Sequence, residues 1–328
     1  LHVRSRRQRQ MCIRDRDVET SENSIQESIA QIYIQILYAA ESVKVNENTL
    51  QVSIAQRDRG QELLNAGSIA KSDFAQLEAQ VSTDRYQLVT AQATLQDYKL
   101  QLKQLLELDG ENEMNIYLPV LSDENVLLPL PAKKDVYMSA LTLRPEIEAS
   151  KINVEASELG IDIAKAGYLP TISLSAGIGT NHTSGSDFTF GEQVKNGWNN
   201  SIGVSVSVPI FNNRQTKSAV QKAKLQRETS LLSLLDEQKT LYKTIEGLWL
   251  DANSAQQRYA AANEKLKSTQ ISYDLISEQF DLGMKNTVEL LTEKNNLLQA
   301  QQEQLQAKYM AILNTQLLKF YQGDKLAL

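Results

Sequence analysis

The chain repeats itself. Displaced by 216 residues, Gly67 falls on Gly283, Asp73 on Glu289, Phe74 on Leu290, Val81 on Leu297 and Leu102 on Leu318. Upstream, Tyr33 meets Trp249, Ala39 meets Ala255 and Leu50 meets Leu266. A period this long marks a duplicated supersecondary unit. Each copy is a long stretch poor in glycine and proline, then a glycine, then a second such stretch. From Val18 to Leu108 only Gly60 and Gly67 interrupt, and Asp109-Gly110 is expected to end the run. Val81, Leu88, Leu95 and Leu102 recur every seven residues, as do Leu291, Leu298, Leu305 and Ile312 in the second copy. That spacing predicts long helices packed in coiled-coil fashion. Arg214 to Leu282 would make a helix of 69 residues, about 100 Å long at 1.5 Å per residue. No globular core requires such a helix.

Two segments have another period. Ile172, Leu174, Ala176 and Ile178 alternate with Thr171, Ser173, Ser175 and Gly177; Ile202, Val204, Val206, Val208 and Ile210 alternate with Ser201, Gly203, Ser205, Ser207 and Pro209. Strict alternation predicts a strand pair. The polar loop between them is long for a compact soluble domain but ordinary on the outer side of a membrane barrel. By alternation alone a soluble sandwich hairpin fits equally well. The second copy also opens with a helix at Arg144-Pro145-Glu146, with proline in the first turn and an acid at the positive end of the dipole, and Gly167 closes it. By symmetry, the strand pair of the first copy would lie upstream, at about −48 to −5, so the sequence is expected to be truncated, lacking one helix and one strand pair of its first repeat.

The residues divide as follows. Residues 1–17 are set apart as non-native, because Leu1–Arg16 hold six arginines, one acid and the single Cys12. Leaving out 1–16 gives 28 basic against 39 acidic residues and moves the formal charge from −6 to −11. With no aromatic interleaving and no basic patch behind it, this arm does not read as a nucleic-acid binder. Residues 18–108 form the first hairpin, 109–143 a connector, 144–167 a helix, 168–211 the strand pair, 212–322 the second hairpin and 323–328 a tail. One cysteine and two histidines exclude a disulfide or a thiolate zinc site, and no catalytic set, metal spacing or phosphate-binding loop is present. No enzyme activity and no cofactor are expected.

Arg144-Pro145-Glu146-Ile147, Tyr168-Leu169-Pro170 and Val208-Pro209-Ile210-Phe211-Asn212-Asn213 resemble motifs of TolC-like outer-membrane efflux proteins. So do the turns Asn65-Ala66-Gly67-Ser68 to Asp73-Phe74 and Asp281-Leu282-Gly283-Met284 to Glu289-Leu290. The resemblance covers about residues 18–322. It implies a mainly α fold with a β-hairpin: long helical hairpins in two repeats, and strands of a twelve-stranded outer-membrane barrel shared by a homotrimer. It implies a passive conduit from periplasm to exterior, working with a periplasmic adaptor and an inner-membrane pump in efflux or type I secretion. Ile172, Leu174, Ile178, Ile202, Val204, Val206 and Val208 would face lipid, with Ser173, Ser175, Ser205 and Ser207 toward the lumen. Gly67, Ser68, Asp73, Gly283 and Asn286 would form adaptor-contacting tips. Glu289 would constrict the pore as a carboxylate ring, with Thr292 where the family carries its second acid. Asp73 is expected to cap a helix or pair with a neighbour.

The competing class is a soluble coiled-coil scaffold in which the hairpin is a mere insertion. Solubility discriminates the two. Trp198 and Tyr168, beside the strands, fit either interfacial anchors or simple hairpin caps. His182 belongs to the polar loop, and Met284 to turn packing.

Overall fold

The computed structural model describes residues 2–108, 116–117, 119, 126–185 and 187–326, with the backbone alone for 2–7. Its elements in chain order are α1 (His2–Asn65), α2 (Lys71–Leu105), α3 (Lys133–Leu143), α4 (Pro145–Lys165), β1 (Thr171–Gly179), α5 (Phe190–Asn196), β2 (Asn199–Ser207), α6 (Gln215–Asp281) and α7 (Thr287–Gln322). The chain forms two compact units, one of Leu1–Arg16 with Glu146–Glu237, the other of Asp17–Pro145 with Gln238–Leu328.

In the first unit, α4 lies against the start of α1 and the start of α6. The arginine-rich start, set aside on composition, is helical and continues α1. Arg9 pairs with Glu155, and Arg16 lies 3.6 Å from Glu148. On the other side Arg227 holds Glu158 at 2.9 Å, and the Ser157 and Ser230 hydroxyls meet at 2.8 Å. A single 3-10 turn, Ala166–Tyr168, ends α4, so Gly167 lies within the terminator. Its Cα faces Thr216, where an added Cβ would come within 3.1 Å of the Thr216 methyl. Asn213 and Arg214 take left-handed backbone at φ 49° and 61°, turning the chain from β2 into α6.

β1 and β2 pair antiparallel from Thr171↔Ser207 to Gly179↔Asn199. The register places Ile172 opposite Val206, Leu174 opposite Val204 and Ala176 opposite Ile202, with Ser173 opposite Ser205 on the other face. Val208, Pro209 and Ile210 lie beyond the ladder, which corrects the longer second strand expected from alternation. The ladder stops where Thr171 follows Pro170, which has no amide hydrogen to offer.

The second unit is built around α7. Leu305, Tyr309, Ile312, Leu313 and Leu317 pack with Ile34 and Leu37 of α1 and with Ala255 and Tyr259 of α6. The connector carries a helix not foreseen, α3, whose Val136 and Ala140 are buried. Repeat-related aromatics fasten the connector: Tyr33 donates to the Tyr117 carbonyl at 2.8 Å and Trp249 to that of Pro131 at 3.1 Å. Gln256 adds bonds to the Val126 and Leu128 carbonyls, and Lys133 sits over the Trp249 ring. Arg144 is buried, 2.7 Å from Glu27 and 3.7 Å above the Tyr321 ring. Its guanidinium thus ties the residue before α4 to α1 and to the end of α7.

The ends of the second helices also repeat. The Gly323 and Asp324 amides bond back to Phe320 and Lys319; 216 residues earlier, Glu107 and Leu108 bond to Gln104 and Lys103. Glu107 therefore holds left-handed backbone, φ 52°, where the second copy has a glycine. This ends α2 at Leu105, ahead of Asp109-Gly110, which lies outside the described residues.

Candidate functional site

Two groups of residues project from regular structure without a covering layer. The first is the pair of helical tips. α1 ends in a Schellman motif: the Gly67 amide bonds the Leu64 carbonyl and the Ser68 amide that of Leu63. α6 ends identically 216 residues later, Gly283 to Phe280 and Met284 to Gln279. Both glycines are left-handed, φ 74° and 72°, with open space where a Cβ would stand, so they are required by backbone conformation and not by crowding. Gly67, Ser68, Gly283 and Asn286 are exposed and Asp73 is half-buried. Met284 is exposed, so it does not pack into the turn as expected. Arg59 lies 3.9 Å from Asp281 and Gln56 bonds the Tyr273 hydroxyl at 2.9 Å, so α1 and α6 run side by side to their ends.

The returning helices start differently. Asn286 caps α7 through a reciprocal box: its side chain accepts from the Glu289 amide at 2.9 Å, and the Glu289 carboxylate accepts from the Asn286 amide at 3.2 Å. Lys285 donates to the same carboxylate at 2.7 Å. The Lys285 hydrogen bond first, then that from Asn286, hold the Glu289 carboxyl below its ordinary value. At the matching place Ala70 begins α2 with no side-chain cap, and Asp73 sits in the first turn. Asp73 therefore does not cap the helix. Glu289 is committed to a cap and a cation, which the sequence reading of a bare acid had missed. The missed signal was Lys285, four residues before it.

The second group is the strand pair. Every residue of β1 and β2 is exposed, Leu174 at 75%, Val206 at 61% and Ile202 at 83%. Ile172, Ile178 and Val204 share that exposure, and Val208 is exposed just past the ladder. The paired register puts Ile172, Leu174, Ala176, Ile202, Val204 and Val206 on one face and serines with glycines on the other. Tyr168 and Trp198 are exposed beside opposite ends of the pair. His182 is exposed in the loop with its ring 5.2 Å from that of Phe190. Among the described residues no helix is long and apolar enough to cross a membrane, a statement that does not bear on strands.

Residues 136–323 match the family described as outer membrane efflux protein. The chain belongs to that family. Relatives of this efflux family include the outer membrane efflux protein BepC of Brucella suis, 25% identical over 294 residues, 89% of this chain and 61% of that protein. The outer membrane protein TolC of Escherichia coli is 24% identical over 313 residues, covering 92% of this chain and 62% of its own length. The chain thus spans about 61% of the length of these relatives. The fold is that of the Campylobacter jejuni CmeC outer membrane channel, with a TM-score of 0.78 at 19% identity over 99% of this chain and 68% of that one. The long hairpins and the strand pair are therefore features of an outer-membrane efflux fold.

Proposed function

We propose that this protein is the outer-membrane conduit of an efflux or type I secretion system. In this reading three copies pool their strands in one barrel, and the long helices continue the path into the periplasm. An adaptor and an inner-membrane pump supply coupling and energy; the conduit itself carries out no bond chemistry. The observation that carries the reading is the hairpin: one face apolar but for Asn200 at its loop end and one face of small polar residues and glycines, both open, fits lipid outside and water within. Such a surface does not suit a soluble scaffold, which would have to cover it.

The tips Gly67, Ser68, Asp73, Gly283 and Asn286 are assigned to adaptor contact, and Glu289 to the constriction. Three copies of Glu289 would form a charged ring, as in channels selective by charge. Each carboxylate has Lys285 at 2.7 Å, so the ring is mixed in sign, with its cation preference moderated by the lysine.

Membrane fractionation followed by conductance in planar bilayers tests the reading. The protein is expected in outer membranes, soluble only with detergent, and conducting. A chain recovered in aqueous extract at low salt would end it. In bilayers under a KCl gradient, Lys285→Gln should move the zero-current potential toward cation preference and Glu289→Gln the opposite way. Unmoved potentials in both would remove Glu289 from the constriction.

A further inference from the structure

Three polar side chains meet where the helix pattern calls for apolar ones. In α2 the buried face runs Leu77, Val81, Asp84, and Asp84 is 1% exposed; in α7 it runs Leu290, Lys294, Leu297, and Lys294 is 3% exposed. These are the three- and four-residue steps of a coiled-coil seam, so each charge occupies a seam position. Ser53 of α1, also buried, completes the group. The Asp84 carboxylate accepts from Lys294 and Ser53 through one oxygen and from Gln80, at 2.9 Å, through the other. Lys294 also donates to Ser53. The groups facing the ammonium are thus Asp84 and Ser53, and along an adjoining cavity of about 190 Å³ Lys294 shares walls with Asn48, Gln270, Tyr273 and Gln301.

The cluster breaks the internal symmetry. The counterpart of Lys294 is Glu78, which is exposed; that of Asp84 is Ala300, which is buried; that of Ser53 is Thr269, which bonds carbonyls of its own helix. A duplicated apolar seam is ambiguous, because leucines spaced by seven fit one another again after a slide. A charge at a seam position is not ambiguous: out of register it is buried without a partner.

We propose that Ser53, Asp84 and Lys294 are positioning residues that fix the register of the α6–α7 hairpin on α1–α2, and so the level at which the second tip stands against the first. Burial lowers the affinity of Lys294 for its proton, opposed by Asp84, as expected for an ammonium retained at a solvation cost for the sake of specificity. The inference concerns packing within one chain and stands whether or not the protein conducts.

The test separates register from stability. With Cys12→Ser as background, spin labels at the exposed positions Gln92 of α2 and Asn295 of α7 report the distance between the helices. The native cluster should give one distance. Ser53→Ala, Asp84→Leu and Lys294→Met together should leave the melting midpoint unchanged or raised, yet add a second distance, from helices slid along their axes by one seven-residue step, about 10 Å. A single unchanged distance in that variant overturns the proposal. Should it not fold, the exchanged pair Asp84→Lys with Lys294→Asp decides: one native distance supports the proposal, two distances overturn it.

Discussion

At the scale of single residues, the helical glycines do opposite things. Gly67 and Gly283 are needed for their left-handed backbone, whereas Gly60, inside α1, is needed for its missing side chain. A Cβ there would collide with a terminal methyl of Leu77, which is itself fully buried. Helix propensity favours alanine over glycine by about 1 kcal/mol. Gly60→Ala should nevertheless lower the melting midpoint, and a rise would show that α1 and α2 do not cross closely at this point. Glu289 gives a second residue-scale expectation. A carboxyl held below its ordinary value of 4.5 by Lys285 and Asn286 contributes stability above that value and loses it as pH falls through the depressed one. Amide protection in the first turn of α7 should therefore be full at pH 7 and fall as the pH is taken below 4.5. In Glu289→Gln, which keeps the box but has no carboxyl to titrate, it should not change over that range.

At the scale of elements, the two hairpins share terminators but not initiators. Matching Schellman motifs close α1 and α6, while of the two returning helices α7 has a side-chain cap and α2 has none, since Ala70 stands where Asn286 does. Replacing alanine at such a position by asparagine is worth roughly 0.5–2 kcal/mol. Ala70→Asn should raise the melting midpoint, and the converse Asn286→Ala should lower it. Equal midpoints would mean that the cap is not formed in solution. Most element boundaries were legible in sequence because they follow from local rules: Gly283 must sit at positive φ, and Pro145 must sit in a first turn. α3 was not, because Pro119, Pro129 and Pro131 break up residues 109–143, which read only as a connector. The length of β2 was misread for a similar reason, since alternation continued through Val208 and Ile210 after the pairing partners had run out at Pro170.

At the scale of the whole molecule, the exposed apolar face of the strand pair states what the chain requires of its surroundings. Leu174 lies near the middle of a nine-residue strand opposite Val204. A cationic side chain on a lipid-facing midplane position costs about 2–4 kcal/mol, and much less on a lumen-facing one. Leu174→Arg should reduce recovery of the protein in outer membranes, while Ser175→Arg on the opposite face should not. Equal recovery of the two would place lipid on neither face.

The sequence by itself determined the duplicated hairpins, the glycine turns, the strand alternation and membership of a family. All of these rest on short-range sterics and on periodicity, which survive in a one-dimensional reading. Only the tertiary structure decided which polar residues matter. Ser53, Asp84 and Lys294 meet across separations of 31 and 210 residues, and in sequence each is merely a polar residue in a polar-rich helix. Their burial is set by which helix faces which, and a desolvated charge acquires its meaning only from the partner that packing brings to it.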